Sequence, residues 1–104
     1  MNIAMTIKSI EDLTKEFDGK TRIEKLIIYS TIQTLVSELK TYATWKKQDG
    51  FPIPNADILI AEIITPLRGL AGLEDNSHND SQNSSWVRIG LEKIRSENCF
   101  NVPK

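Results

Sequence analysis

Asn55 to Leu73, N-A-D-I-L-I-A-E-I-I-T-P-L-R-G-L-A-G-L, limits what this chain can fold into more than any other stretch. Wound into a helix, it carries Ile58, Leu59, Ile60, Ile63, Ile64, Leu67, Leu70 and Leu73 around most of its circumference, as a helix enclosed by others does. Glu62, Thr65, Gly69 and Gly72 form its one polar or small stripe. Pro66 falls in the interior, where its missing N–H and its ring bend a helix, so a kink is expected near Thr65. Asn55 is placed as N-cap, with Asp57 in the favourable first turn. The expected helix spans about 56–73, and the rest of the chain reads as its cover.

That cover is helical. Ile3, Met5 and Ile7 give a weak period-two pattern, an extended arm or a helix lead-in. Ser9 with Asp12 resembles a capping box, Ile10, Leu13 and Phe17 share a face, and Gly19 is a C′ stop, which predicts a first helix over about 10–18. Thr21 and Glu24 form a second capping box opening a helix over 22–48. Its core face is Ile28, Ile32, Leu35, Val36, Leu39 and Ala43, widened by Ile23, Leu26 and Ile27, and Lys46 and Lys47 suit its negative end. At ~1.5 Å per residue this helix reaches roughly 40 Å, more than helix one can cover, so helix four or a second copy of the chain must complete its packing. Phe51-Pro52-Ile53-Pro54 is an extended connection pinned by Phe51 and Ile53. Residues 74–85 contain no apolar side chain and read as a flexible polar loop. Ser84 or Ser85 then caps a last helix over 86–97, with Trp86 or Val87, Gly90, Leu91 and Ile94 inward, and Glu92–Arg95 and Lys93–Glu97 as solvent-side pairs. The fold class that follows is all-α, an irregular four-helix bundle around a central Pro-kinked apolar helix, in one domain spanning 1–104.

The formal charge of −1 gives no global reason to expect nucleic acid or a membrane surface, yet its distribution is uneven. Residues 1–48 hold eight Lys/Arg against six Asp/Glu, residues 49–83 hold Arg68 alone against six, and residues 84–104 hold four against two. The middle is an acidic segment suited to a basic partner. Cys99 is the only cysteine, which excludes an intramolecular disulfide and a Cys-rich zinc site. With no apolar run near the ~18 residues of a membrane span and no charged leader, the expected location is cytoplasmic.

Catalysis needs convergent polar groups, and few are on offer. His78, the only histidine, would have to join Asp75 and Asp80 from the polar loop to hold a metal, and a solvated loop histidine is the simpler reading. Cys99 beside Phe100 reads as a small buried residue. Glu62 is the most suggestive acid, either facing the helix's one open side or paired with Arg68, Lys25 or Lys40. No phosphate loop, nucleophile elbow or paired-cysteine motif is present, so no enzyme, cofactor or metal is expected. Lys40, Tyr42, Trp45, Lys46 and Lys47 are too short a basic run for nucleic acid and read as a solvated helix end. Trp86 is expected in the core, while Trp45, off the main apolar face, is a candidate surface anchor.

The segment Ser85-Trp86-Val87-Arg88-Ile89-Gly90, following a polar loop after an apolar helix, resembles the start of the second helix in small phage sponge proteins that sequester cyclic oligonucleotide signals. The resemblance implies an oligomeric small-molecule binder and carries over no ligand residue. The function expected from the residues themselves is binding without catalysis: a stoichiometric inhibitor of the immunity or antitoxin type that occludes a basic nuclease-like toxin. Trp45, Asp49, Asp57, Glu74, Asp75 and Asp80 would face the partner, with a homodimer through helix 22–48 or an adaptor-subunit role as further expectations.

Overall fold

The capping box read at Thr21 forms: Thr21 N–H donates to the Glu24 carboxylate at 2.9 Å, and Glu24 N–H donates to the Thr21 hydroxyl at 3.2 Å. It opens the longest of four helices in the computed structural model, which describes residues 3–73 and 79–96. These are α1 (Ile3–Thr14), α2 (Arg22–Gln48), α3 (Ala56–Leu70) and α4 (Asp80–Ser96), an all-α bundle. α1 packs on α2 and α4, and α3 packs on the same two, so the four close a ring around one core. That core joins Ile3, Ile7 and Ile10 to Ile32, Val36 and Leu39, and both to Ile60, Ile63 and Leu67 of α3 and Val87, Leu91 and Ile94 of α4.

Three helices differ in extent from the sequence expectation, the least of them α3, which ends at Leu70 and not at 73. α1 starts by Ile3 and ends at Thr14 instead of spanning 10–18. Ile3, Ile7 and Ile10 are buried and Met5 is 65 % exposed, so the spacing that matters is four and three and not two. After Thr14 the chain leaves the helix through i+3 turns, Lys15 to Asp12 and Glu16 to Leu13, with Gly19 at positive φ. α4 begins at Asp80, so residues 80–85 are helical rather than loop, and neither Ser84 nor Ser85 is its cap. Asn79 performs that role: its side chain accepts from Gln82 N–H at 2.9 Å and Gln82 accepts from Asn79 N–H at 3.1 Å. An apolar count is blind to a first turn fixed by polar side chains. Residues 74–78 and 97–104, which include Glu74, Asp75, His78, Glu97 and Cys99, lie outside the described residues.

α2 has the predicted bounds, but its cover comes from α1 and α3 and not from α4. Ile23 and Ile27, expected to widen its core face, are 72 % and 62 % exposed, and Leu26 is exposed as well. At the α2–α3 corner Ile53 is buried as expected, whereas Phe51 is 67 % exposed. Asn55 holds the N-cap place in the left-handed region (φ 57°, ψ 26°) without a side-chain cap bond, so it serves the turn and not the amides. α3 continues through a buried Pro66 to Leu70 and buries Leu59, Ile60, Ile63 and Leu67, but its first turn is open, with Ile58 exposed. α3 and α4 approach closely at Gly90, where a β-carbon would lie 2.5 Å from Ile63 Cγ2. No helix among the described residues is long and apolar enough to cross a membrane.

Candidate functional site

The acidic segment does not form one face. Asp49 ends α2 and Asp57 lies in the first turn of α3, so these two share the α2–α3 corner. Asp80 opens α4 and lines a cavity with Leu70, the last residue of α3. The 15 residues of α3, roughly 22 Å of helix, therefore separate Asp57 from Asp80. Glu74 and Asp75 cannot be placed, as they lie outside the described residues. Lys46 and Lys47 stand in the last turn of α2 beside Asp49, so the corner carries both signs.

A groove of about 490 Å³ runs along this corner, lined by Ala43, Thr44 and Lys47 of α2, Pro52, Ile53 and Asn55 of the connection, and Ala56, Asp57 and Ile58 of α3. The two prolines hold the connection extended, and left-handed Asn55 turns it into α3, which leaves room between the helices. One position before the lining residue Pro52, Phe51, expected to pin the connection to the core, is exposed instead. The Lys46 ammonium lies 5.5 Å from its ring centroid, a cation–π contact that holds the exposed ring in place. Ile58, 59 % exposed, lines the groove from the α3 side. Trp45 is 52 % exposed, but at ~100° per residue it points away from the side of α2 that carries Ala43 and Lys47, so it is not part of the groove.

A second concavity, about 390 Å³, lies at the opposite end between the C-terminal part of α1, the end of α3 and the first half of α4. Its floor is apolar, with Phe17, Leu70, Val87 and Leu91, and its rim carries Lys15, Asp18, Asp80, Ser81, Ser84 and Arg88. Glu11 borders it and is bound in two-pronged fashion by Arg95, at 3.1 and 3.3 Å. The Arg95 hydrogen bond holds the Glu11 carboxyl below the usual carboxylate range, and the same bond raises Arg95 further. The sequence pattern gave Arg95 only Glu92, which does lie 3.6 Å away. A contact between residues 84 apart has no signature in helical spacing.

Two further expectations change. Glu62 pairs with Lys93 of α4 at 2.8 Å, and not with Arg68, Lys25 or Lys40, and both side chains are more than a third exposed. Trp86, expected in the core, is 45 % exposed, because Val87, Gly90, Leu91 and Ile94 take the buried face of α4 and turn Trp86 to its edge. Among the described residues no three His, Cys, Asp or Glu side chains converge as a metal site. Set against protein-family models, curated proteins and solved structures, the chain matches none of them.

Proposed function

We propose that the protein acts by binding without catalysis, as a stoichiometric inhibitor of the immunity or antitoxin type that covers a partner with its α2–α3 corner. The observation that carries this reading is Ile58, 59 % exposed in the lining of a groove that also holds Ile53, with Phe51, 67 % exposed, preceding the lining residue Pro52 in the chain. Large apolar side chains beside a concave, partly apolar surface are the usual anchors of a protein contact, and charges at the rim act mainly on association rate. Asp49 and Asp57 supply the acidic part of that rim, offset by Lys46 and Lys47, and would pair with basic groups of a partner such as a nuclease-like toxin domain, with which the protein would share the cytoplasm. Asp80, at the other end of α3, takes no part in the corner contact.

The test begins with native mass spectrometry of the protein taken gently from its own host, to identify a one-to-one partner. Phe51→Ala and Ile58→Ala should then each weaken that complex by about tenfold or more, the ~1–2 kcal/mol of an anchor. Asp49→Lys with Asp57→Lys should slow association most at low salt, and Asp80→Lys should do little. Unchanged affinity in both anchor variants would remove the corner as the contact.

A second reading has one observation of its own. Arg88 and Val87, from the segment that resembles the sponge proteins, line the cavity of about 390 Å³, a size within the usual range of ligand pockets. A nucleotide-sized mass on the native protein, lost in Arg88→Ala, would favour small-molecule capture over toxin occlusion.

A further inference from the structure

α2 has a second stripe on the side turned away from the core. Ile23, Ile27, Ser30, Thr34, Ser37 and Thr41 recur at steps of four, three, four, three and four, the spacing of a helix–helix seam, and all six are exposed. No residue of this stripe is charged, and the twelve positions from Leu26 to Ser37 contain no charge at all. Two hydroxyls of the stripe are turned onto the helix itself, Thr34 donating to the Ser30 carbonyl at 3.3 Å and Ser37 to the Gln33 carbonyl at 3.0 Å, and beside it Thr31 donates to the Ile27 carbonyl at 3.1 Å. Bonds of this kind leave the polar groups partly satisfied before any partner arrives and present methyls and Cβ atoms outward, so desolvating this face costs less than desolvating free hydroxyls.

Bulk is distributed along the stripe in a particular order. Ile23 and Ile27 stand at its start, 72 % and 62 % exposed, and Trp45 closes its far end at 52 %. Between them are serines and threonines, which let a second helix approach closely. We infer that this face of α2 is a homodimer interface in which α2 of a second copy lies antiparallel, with the twofold axis near Thr34 and Ser37. In that orientation Trp45 of each copy covers Ile23 and Ile27 of the other, both ends have equal bulk, and the helix dipoles oppose. A parallel pair would set Trp45 against Trp45 at one end, the isoleucines against each other at the other, and the dipoles side by side.

The size of the seam suits a weak contact with a second copy. From Ile23 to Trp45 the helix runs about 33 Å, and with a side-chain-inclusive width of ~10–12 Å two such faces cover roughly 700–800 Å² together. That is below the ~1,000 Å² of a stable specific interface, which implies a weak dimer in reversible equilibrium with monomer. The groove between α2 and α3 lies on another side of the helix and stays open, so dimerisation and partner docking fail or succeed separately.

Sedimentation equilibrium of the full chain from about 10 µM to about 1 mM tests the inference. The average mass should climb from 11.8 kDa toward twice that value. Thr34→Lys, at an exposed helix position, should raise the dissociation constant at least tenfold with an unchanged far-UV spectrum and melting temperature. Orientation is read in a Cys99→Ser background: singly substituted Ile23→Cys and Trp45→Cys proteins should be joined by a short thiol crosslinker when mixed, and not when alone. A mass fixed at 11.8 kDa throughout, a dimer indifferent to Thr34→Lys, or crosslinking of each variant to itself would each overturn the assignment.

Discussion

Gly90→Ala tests the packing of α3 on α4 through a single methyl group. The added β-carbon would sit 2.5 Å from Ile63 Cγ2, about 1 Å inside the ~3.5–4.0 Å at which carbon atoms attract. Ile63 is fully buried, and its β-branched side chain has one strongly preferred rotamer in a helix, so it has no inexpensive way to retreat. The helices must separate, with an overpacking penalty of ~1–3 kcal/mol. Against this stands the helix propensity gained on replacing glycine by alanine, ~1 kcal/mol. The net expectation is a destabilisation of about 1 kcal/mol, read as a lower urea midpoint at unchanged slope and a melting temperature lower by roughly 5 °C. A second background makes the argument decisive. Ile63→Ala alone should cost ~2–5 kcal/mol, and it removes the atom that clashes. In that background Gly90→Ala should change sign and stabilise by about 1 kcal/mol, because propensity remains and the new methyl enters vacated space. If Gly90→Ala stabilises the unmodified protein, the close approach of α3 and α4 at this point is wrong.

The Glu11–Arg95 contact makes a pH prediction. Arg95 holds the Glu11 carboxyl below its ordinary value, so the contact stabilises the fold above the unfolded-state pKa of ~4.3 and is lost as pH falls through the lower folded-state value. Thermal melts of the native protein and Glu11→Gln should therefore differ near neutral pH and converge in acid; a gap independent of pH would contradict the pairing. Asn79→Ala should cost about 1 kcal/mol and speed hydrogen exchange in the first turn of α4, and full protection of those amides in the variant would mean that Asn79 is not the cap. Glu62→Gln should shift stability by less than ~0.5 kcal/mol, since the Lys93 pair is solvent-exposed on both sides, and a loss several times larger would mark Glu62 as a buried acid.

Local chemistry was legible without coordinates. The Thr21–Glu24 box, the lysines of the last turn and Gly50 placed both ends of α2, because each acts through neighbours within a few positions of itself. Apolar spacing at Ile28, Ile32, Val36 and Leu39, and at Ile60, Ile63 and Leu67, assigned the core faces of α2 and α3 for the same reason. The Asn79–Gln82 box was equally present in the chain and was passed over, since a segment without apolar residues gives hydrophobic periodicity nothing to register. What local pattern does not contain is which surfaces meet. Whether Ile23, Ile27, Phe51 and Trp86 are covered depends on which side of each element the other helices pack, and Ile23 and Ile27 lie on the side of α2 turned away from the core while Val87 and Leu91 displace Trp86. Charge counted along the chain joined Asp49, Asp57 and Asp80 into one acidic segment; an intervening helix of 15 residues put them at opposite ends. The partners of Glu11 and Glu62 were likewise decided by helices brought together from distant parts of the chain. Periodicity fixes which way a side chain points from its own helix, and only the ring of four helices determines what stands in front of it.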